Sequence, residues 1–96
     1  MRVALIVIYT ARLEECRAFY TDLGLPLALE RHGQGPEHYA AELDDGTVVE
    51  LYPAGPRGET GRLRLGFTTV AAAGLEPGRH LLEDPDGRTV ELVVMG

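Results

Sequence analysis

Two short Asp/Gly segments constrain this chain more than any other feature: Asp44-Asp45-Gly46 and Asp84-Pro85-Asp86-Gly87. Asp bonds readily to backbone a residue or two ahead, and Gly accepts the positive φ that a tight reversal demands. Each segment therefore turns one strand back on another. Tyr39–Leu43 returns as Thr47–Tyr52, and His80–Glu83 returns as Thr89–Met95. Both returning strands carry Glu-Leu, as Glu50-Leu51 and Glu91-Leu92, a faint internal echo.

The remaining elements follow from periodicity. Val3–Tyr9 is short, apolar and β-branched, which predicts a strand buried on both faces. Leu13, Cys16, Phe19, Tyr20 and Leu23 make one stripe of a helix from about Arg12 to Asp22. Thr10 is its expected N-cap, Glu14 and Glu15 sit near its positive end, and Gly24 with Pro26 ends it. Leu27–His32 is a further strand, broken by Gly33, Gly35 and Pro36, so the first half is β-α-β-β-β. Gly and Pro make 54–61 a linker. Arg62–Thr69 alternates polar with apolar as a strand does, whereas Val70–Gly78, interrupted by Gly74 and Pro77, is too broken for a full amphipathic helix.

The expected class is α+β in a single domain over 1–96. It comprises a βαβββ module (1–53), a linker (54–61) and a truncated second module (62–96). The longest apolar run, Val3–Ile8, is far short of a membrane span, and no basic segment precedes it. The lone Cys16 allows neither an internal disulfide nor a cysteine zinc cluster. All nine basic residues are Arg against fifteen acids, and a net charge of −6 repels nucleic acid and anionic lipid. A cytoplasmic protein with neither nucleic acid nor membrane as partner is the expectation.

Period-two alternation sorts the strands into faces. Val49 and Leu51 oppose Val48, Glu50 and Tyr52; Leu63, Leu65 and Phe67 oppose Arg62, Arg64, Gly66 and Thr68; Val90, Leu92 and Val94 oppose Thr89, Glu91, Val93 and Met95. The mixed faces would bring Glu50, Glu91 and Arg64 onto one concave surface. Half-wetted sheets often carry charges with no function, but each glutamate here lies between apolar neighbours on its own face.

The strand leading into Leu13-Glu14-Glu15-Cys16-Arg17-Ala18-Phe19-Tyr20 and Leu23-Gly24-Leu25, the Val49-Glu50-Leu51-Tyr52 strand, and Glu83-Asp84-Pro85-Asp86-Gly87-Arg88-Thr89-Val90-Glu91-Leu92 together resemble the vicinal oxygen chelate (glyoxalase/bleomycin resistance/dioxygenase) superfamily. The Asp-Pro-Asp-Gly hairpin with its Glu-Leu strand is the most specific piece. The resemblance covers 1–53 well, and 62–70 and 80–94 in part. It implies paired βαβββ modules with a mixed sheet curled into a cup. In metal-dependent members, residues from four strands hold a divalent ion. Carried over by position, Glu50 and Glu91 match the two carboxylate ligands, while the two His positions fall at Leu5 and Arg64. Leucine has no donor atom, and a guanidinium stays protonated and repels a cation.

The resemblance with these departures implies a metal-independent small-molecule binder. Arg64, Glu50, Glu91, Tyr9 and Tyr52 are the expected ligand contacts, and neither a metal nor another cofactor is expected. Arg64 replaces the ion as counter-charge to Glu50 or Glu91. His32, His38 and His80 fall outside the ligand positions, and His38, beside a Pro-Glu turn, has the weakest claim. With four Tyr, two Phe and no Trp, the chain offers little for stacking a ligand as large as bleomycin. Two alternatives stand beside this reading. One is a lyase, isomerase or dioxygenase with an atypical metal site and Glu91 as general base, disfavoured by Leu5 and Arg64. The other is a non-catalytic dimerisation module. The short second module also lacks the helix that would cover Leu63, Leu65, Phe67, Val90, Leu92 and Val94, so a homodimer in which a second subunit covers them is expected.

Overall fold

The computed structural model describes all residues, 1–96. The elements run β1 (Leu5–Thr10), α1 (Leu13–Leu23), β2 (Ala28–Glu30), β3 (His38–Glu42), β4 (Val48–Pro53), β5 (Arg64–Thr69), β6 (Gly78–Glu83) and β7 (Thr89–Val94). They form two mixed sheets, ordered β1-β4-β3-β2 and β5-β7-β6. β1 lies parallel to β4 and β5 parallel to β7, while each Asp/Gly turn joins an antiparallel pair, β3–β4 and β6–β7. The echo in sequence is thus an echo in topology: the second sheet repeats the first without its helix and its outermost strand. No helix is long and apolar enough to cross a membrane.

Helix α1 ends as expected, with Gly24 in the left-handed region at φ 113° and its amide bonded to Thr21 O. Its start differs. Arg12 occupies the N-cap with no side-chain cap. The Thr10 hydroxyl accepts from the Arg12 amide and donates to Asp86 Oδ2 at 2.5 Å, because Thr10 is still the last residue of β1 and is buried there.

β1 also departs from the expectation of burial on both faces. Ile8 and Thr10 are buried, but Leu5 and Tyr9 are exposed, so only one face of the strand meets the core. The 54–61 segment is tied to β1, with the Thr60 amide donating to Tyr9 O and the Tyr9 amide to Thr60 Oγ1.

The uncovered apolar face expected of the second module does not exist. Leu65, Val90, Leu92 and Val94 are buried within this single chain, with Leu63 and Phe67 partly so. They share one core with Cys16, Tyr20 and Leu23 of α1 and with Ile8, Val49 and Leu51 of the first sheet. One helix serves both sheets, which removes the reason for a partner at this face. Burying these side chains contributes roughly 1.5–3 kcal/mol each.

A buried polar cluster fastens the β6–β7 turn to this core. The Tyr20 hydroxyl donates to Asp84 Oδ2 at 2.6 Å, and Arg88 Nη1 lies 3.1 Å from the same oxygen and 2.9 Å from Asp86 Oδ2. Arg88 also reaches the carbonyls of Gly61 and Tyr9, and Arg12 that of Pro85. Every member of a buried ion cluster must be paired to be tolerated, and these are.

Candidate functional site

With one face of each sheet committed to the core, alternation leaves the other face to solvent. On the first sheet, Val7 stands opposite Glu50, Tyr9 opposite Tyr52, Ala40 opposite Glu50, and Glu30 opposite His38. Tyr9, His38, Glu50, Tyr52 and Glu30 therefore share one face. The Tyr9 and Tyr52 rings are 5.9 Å apart and tilted by 48°, and the His38 ring stacks on Tyr52 at 4.0 Å and 10°. Leu5 flanks them, 55% exposed.

His38 is the feature that residue-by-residue reading missed. It lies within β3 rather than in the preceding turn, and it is buried. Its Nδ1 is 3.2 Å from Pro36 O, while its Nε2 is aimed at two acids, 3.4 Å from Glu30 Oε1 and 3.8 Å from Glu50 Oε2. That Nε2 has no hydrogen-bond partner. His32 Nε2 lies 3.2 Å from Glu30 Oε1 on the exposed side. Donor atoms of Glu30, His32, His38 and Glu50 all fall within 4.8 Å of one another. The register of the β2–β3 pair, with Glu30 opposite His38, brings this imidazole into the sheet, whereas starting the third strand at Tyr39 left it in the turn.

On the second sheet Glu91 is held by arginine. Arg79 Nε and Nη2 donate to its two oxygens at 2.8 and 3.1 Å, and Arg64 Nη2 lies 3.4 Å away. Arg79 from β6, not anticipated from sequence, is the principal partner. Its hydrogen bonds, with help from Arg64, hold the Glu91 carboxyl below its ordinary range. No hydrogen bond or ion pair links Glu91 or Arg64 to Glu50; the two glutamates stand on separate sheets, each facing away from the shared core. Within one chain no hydrogen bond or ion pair gathers Glu50 with Glu91 and Arg64, the grouping expected on one concave surface.

The four positions that hold an ion in metal-dependent relatives do not fit one here. Leu5 has no donor, Arg64 is itself a cation, and Glu91 already receives two guanidinium groups. Cys16 is buried, and burial pushes its thiol up, away from the reactive thiolate. A cleft of about 460 Å³ opens between the end of α1, the β3–β4 turn and β5, lined in part by Leu25, Asp44, Asp45, Gly66 and Phe67. Its lining includes none of Tyr9, Glu30, His32, His38, Glu50, Tyr52 and Glu91, so it lies apart from the groups described above.

The family model described as the Glyoxalase/Bleomycin resistance protein/Dioxygenase superfamily matches residues 2–76. No curated protein matches the chain. Among solved structures, TnmS3, an antibiotic binding protein from Streptomyces sp. CB03234, has a TM-score of 0.67 at 20% identity, covering 100% of this chain and 97% of its own. Protein ATC0852 from Agrobacterium tumefaciens has a TM-score of 0.57 at 13% identity, covering 100% and 98%. At these identities the two neighbours carry the fold.

Proposed function

Because the chain belongs to the glyoxalase/bleomycin resistance protein/dioxygenase superfamily, we propose that it is a small-molecule-binding protein whose ligand lies on the outer face of the first sheet. The observation that carries this reading is the aromatic pair Tyr9 and Tyr52, with the buried His38 ring stacked on Tyr52, beside the Glu50 carboxylate. Aromatic planes next to an acid favour a planar cationic ligand, through stacking and cation–π attraction. TnmS3, similar in fold, is an antibiotic binding protein, which supports a ligand of drug size. Binding on this face draws on no metal at the family's four positions.

A homodimer would complete the cup. The outer face of the first sheet exposes Leu5 and Tyr9, and Leu81 is exposed on that of the second. Apposing the first sheet of one copy to the second sheet of another would shelter these groups and bring Arg64, Arg79 and Glu91 over the aromatic surface. Sedimentation equilibrium at micromolar concentration, expected to give a dimer, tests this pairing; a clean monomer would remove it.

Ligand chemistry is tested with fluorescent probes in EDTA. Cationic proflavine should bind and anionic fluorescein should not, with Tyr9→Ala and Tyr52→Ala each weakening proflavine about tenfold. Equal binding of both dyes, or indifference to both substitutions, would overturn the assignment.

A further inference from the structure

We propose that Glu30, His32, His38 and Glu50 form a binding site for one divalent transition-metal ion, Zn²⁺ being the best fit, at a place distinct from the family's own metal positions and sharing only Glu50 with them.

The spacing of the donors supports this. Ligands held about 2.0–2.1 Å from a tetrahedral Zn²⁺ stand about 3.3–3.4 Å apart. Here His32 to Glu30 is 3.2 Å, His38 to Glu30 is 3.4 Å and His38 to Glu50 is 3.8 Å, with every pair within 4.8 Å. Two imidazoles and two carboxylates are the nitrogen and oxygen donors that such an ion takes, and the two negative charges neutralise it.

His38 gives an independent indication. An imidazole whose Nδ1–H donates to a backbone carbonyl has its tautomer fixed, with the lone pair on Nε2. Pro36 O is in place to accept that proton, and the free Nε2 then points, buried and unpartnered, towards two acids. A lone pair facing carboxylates repels them unless a cation lies between. A proton on Nε2 serves less well, because neither carboxylate is placed to accept a hydrogen bond from it.

The site also has a fixed half and an adjustable half. His38 and Glu50 stand on β3 and β4, inside the sheet, with side chains 1% and 16% exposed. Glu30 and His32 belong to the exposed three-residue edge strand β2 and the loop after it, at 42% and 71%. The small contraction that coordination needs falls on the exposed pair. A bound ion would pin β2 and the 31–37 loop against the sheet, beside the stacked Tyr52 ring.

The test uses the full chain stripped with EDTA and then titrated with ZnCl₂ by calorimetry. One ion per chain is expected, together with a raised melting temperature, and Co²⁺ in its place should give the visible absorption of a tetrahedral centre. Glu30→Gln and His32→Ala, both at exposed positions, should each weaken binding at least tenfold, whereas His80→Ala should leave it unchanged. His38→Gln should abolish it, and should that variant not fold, the exposed pair still decides. Absence of stoichiometric binding, or affinity indifferent to Glu30→Gln and His32→Ala, would overturn the site. So would an imidazole nitrogen NMR signal showing His38 Nε2 protonated at saturating Zn²⁺. The dye measurements are made in EDTA, so failure of the metal site and failure of the ligand face are read separately.

Discussion

The Tyr20 hydroxyl and Asp84 Oδ2 are 2.6 Å apart, and the bond between them runs from the last turn of the only helix to the turn that joins β6 to β7. It ties the helix to the second sheet at the shared core, where Arg88 balances the buried carboxylate. Burial, followed by the hydrogen bond to Asp84, pushes the Tyr20 hydroxyl upward, so it is a donor at every physiological pH.

Removing that donor isolates its contribution. Tyr20→Phe keeps the ring in the core and should lower unfolding free energy by about 1.5–3 kcal/mol, the range for a hydrogen bond to a charged group. Arg88→Met, which leaves Asp84 buried and short of its counter-charge, should lose about 3–5 kcal/mol. Urea denaturation measures both, and a Tyr20→Phe protein as stable as the parent would contradict the linking role.

Acid should weaken the same corner. Burial pushes the Asp86 carboxyl up, but the Thr10 hydroxyl, the Arg88 charge and the Cys16 thiol outweigh it and hold the group below its ordinary range. A carboxyl depressed in the folded state stabilises fully above its unfolded value of about 3.9, and that contribution disappears as pH falls through the folded value. Urea midpoints at pH 7, 4 and 3 should therefore fall less steeply in Asp86→Asn than in the parent. Parallel profiles would remove Asp86 from the account.

The covered second sheet makes a packing prediction. Leu92 is fully buried in the common core, and Leu92→Ala should lose about 2–5 kcal/mol. Leu81 is 58% exposed on the opposite face, and Leu81→Ala in the monomer should stay within about 0.5 kcal/mol. If the two substitutions were equally damaging, the assignment of faces on β6 and β7 would be wrong.

The two arginines at Glu91 are not equivalent. Arg79 contacts both carboxylate oxygens, whereas Arg64 makes one longer contact, so Arg79→Ala should raise the Glu91 titration midpoint more than Arg64→Ala does. Carboxyl NMR titration of the two variants decides it, the opposite order restoring Arg64 as the main counter-charge.

Gly24 closes α1 at φ 113°, a conformation that costs any side chain bearing a Cβ. Gly24→Ala should destabilise the protein by about 1 kcal/mol or more in thermal or urea unfolding. An unchanged stability would mean that the helix end relaxes into another cap.

Local chemistry was enough to determine the class of fold and most of its elements. Asp44-Asp45-Gly46 and Asp84-Pro85-Asp86-Gly87 forced two hairpins, the Leu13–Leu23 stripe forced one helix ended by Gly24, and alternation put Glu50 and Tyr52 on a common face. Those signals act over a few residues and are written in the chain directly. Tertiary structure alone decided that α1 serves both sheets, so that Leu65, Val90 and Leu92 need no second subunit, since coverage depends on where distant elements pack. It also decided that Arg79 rather than Arg64 chiefly holds Glu91, and that His38 turns a buried nitrogen towards Glu30 and Glu50. A one-residue change in where β3 begins moves an imidazole from a turn into the sheet, and only the register of three paired strands fixes that position.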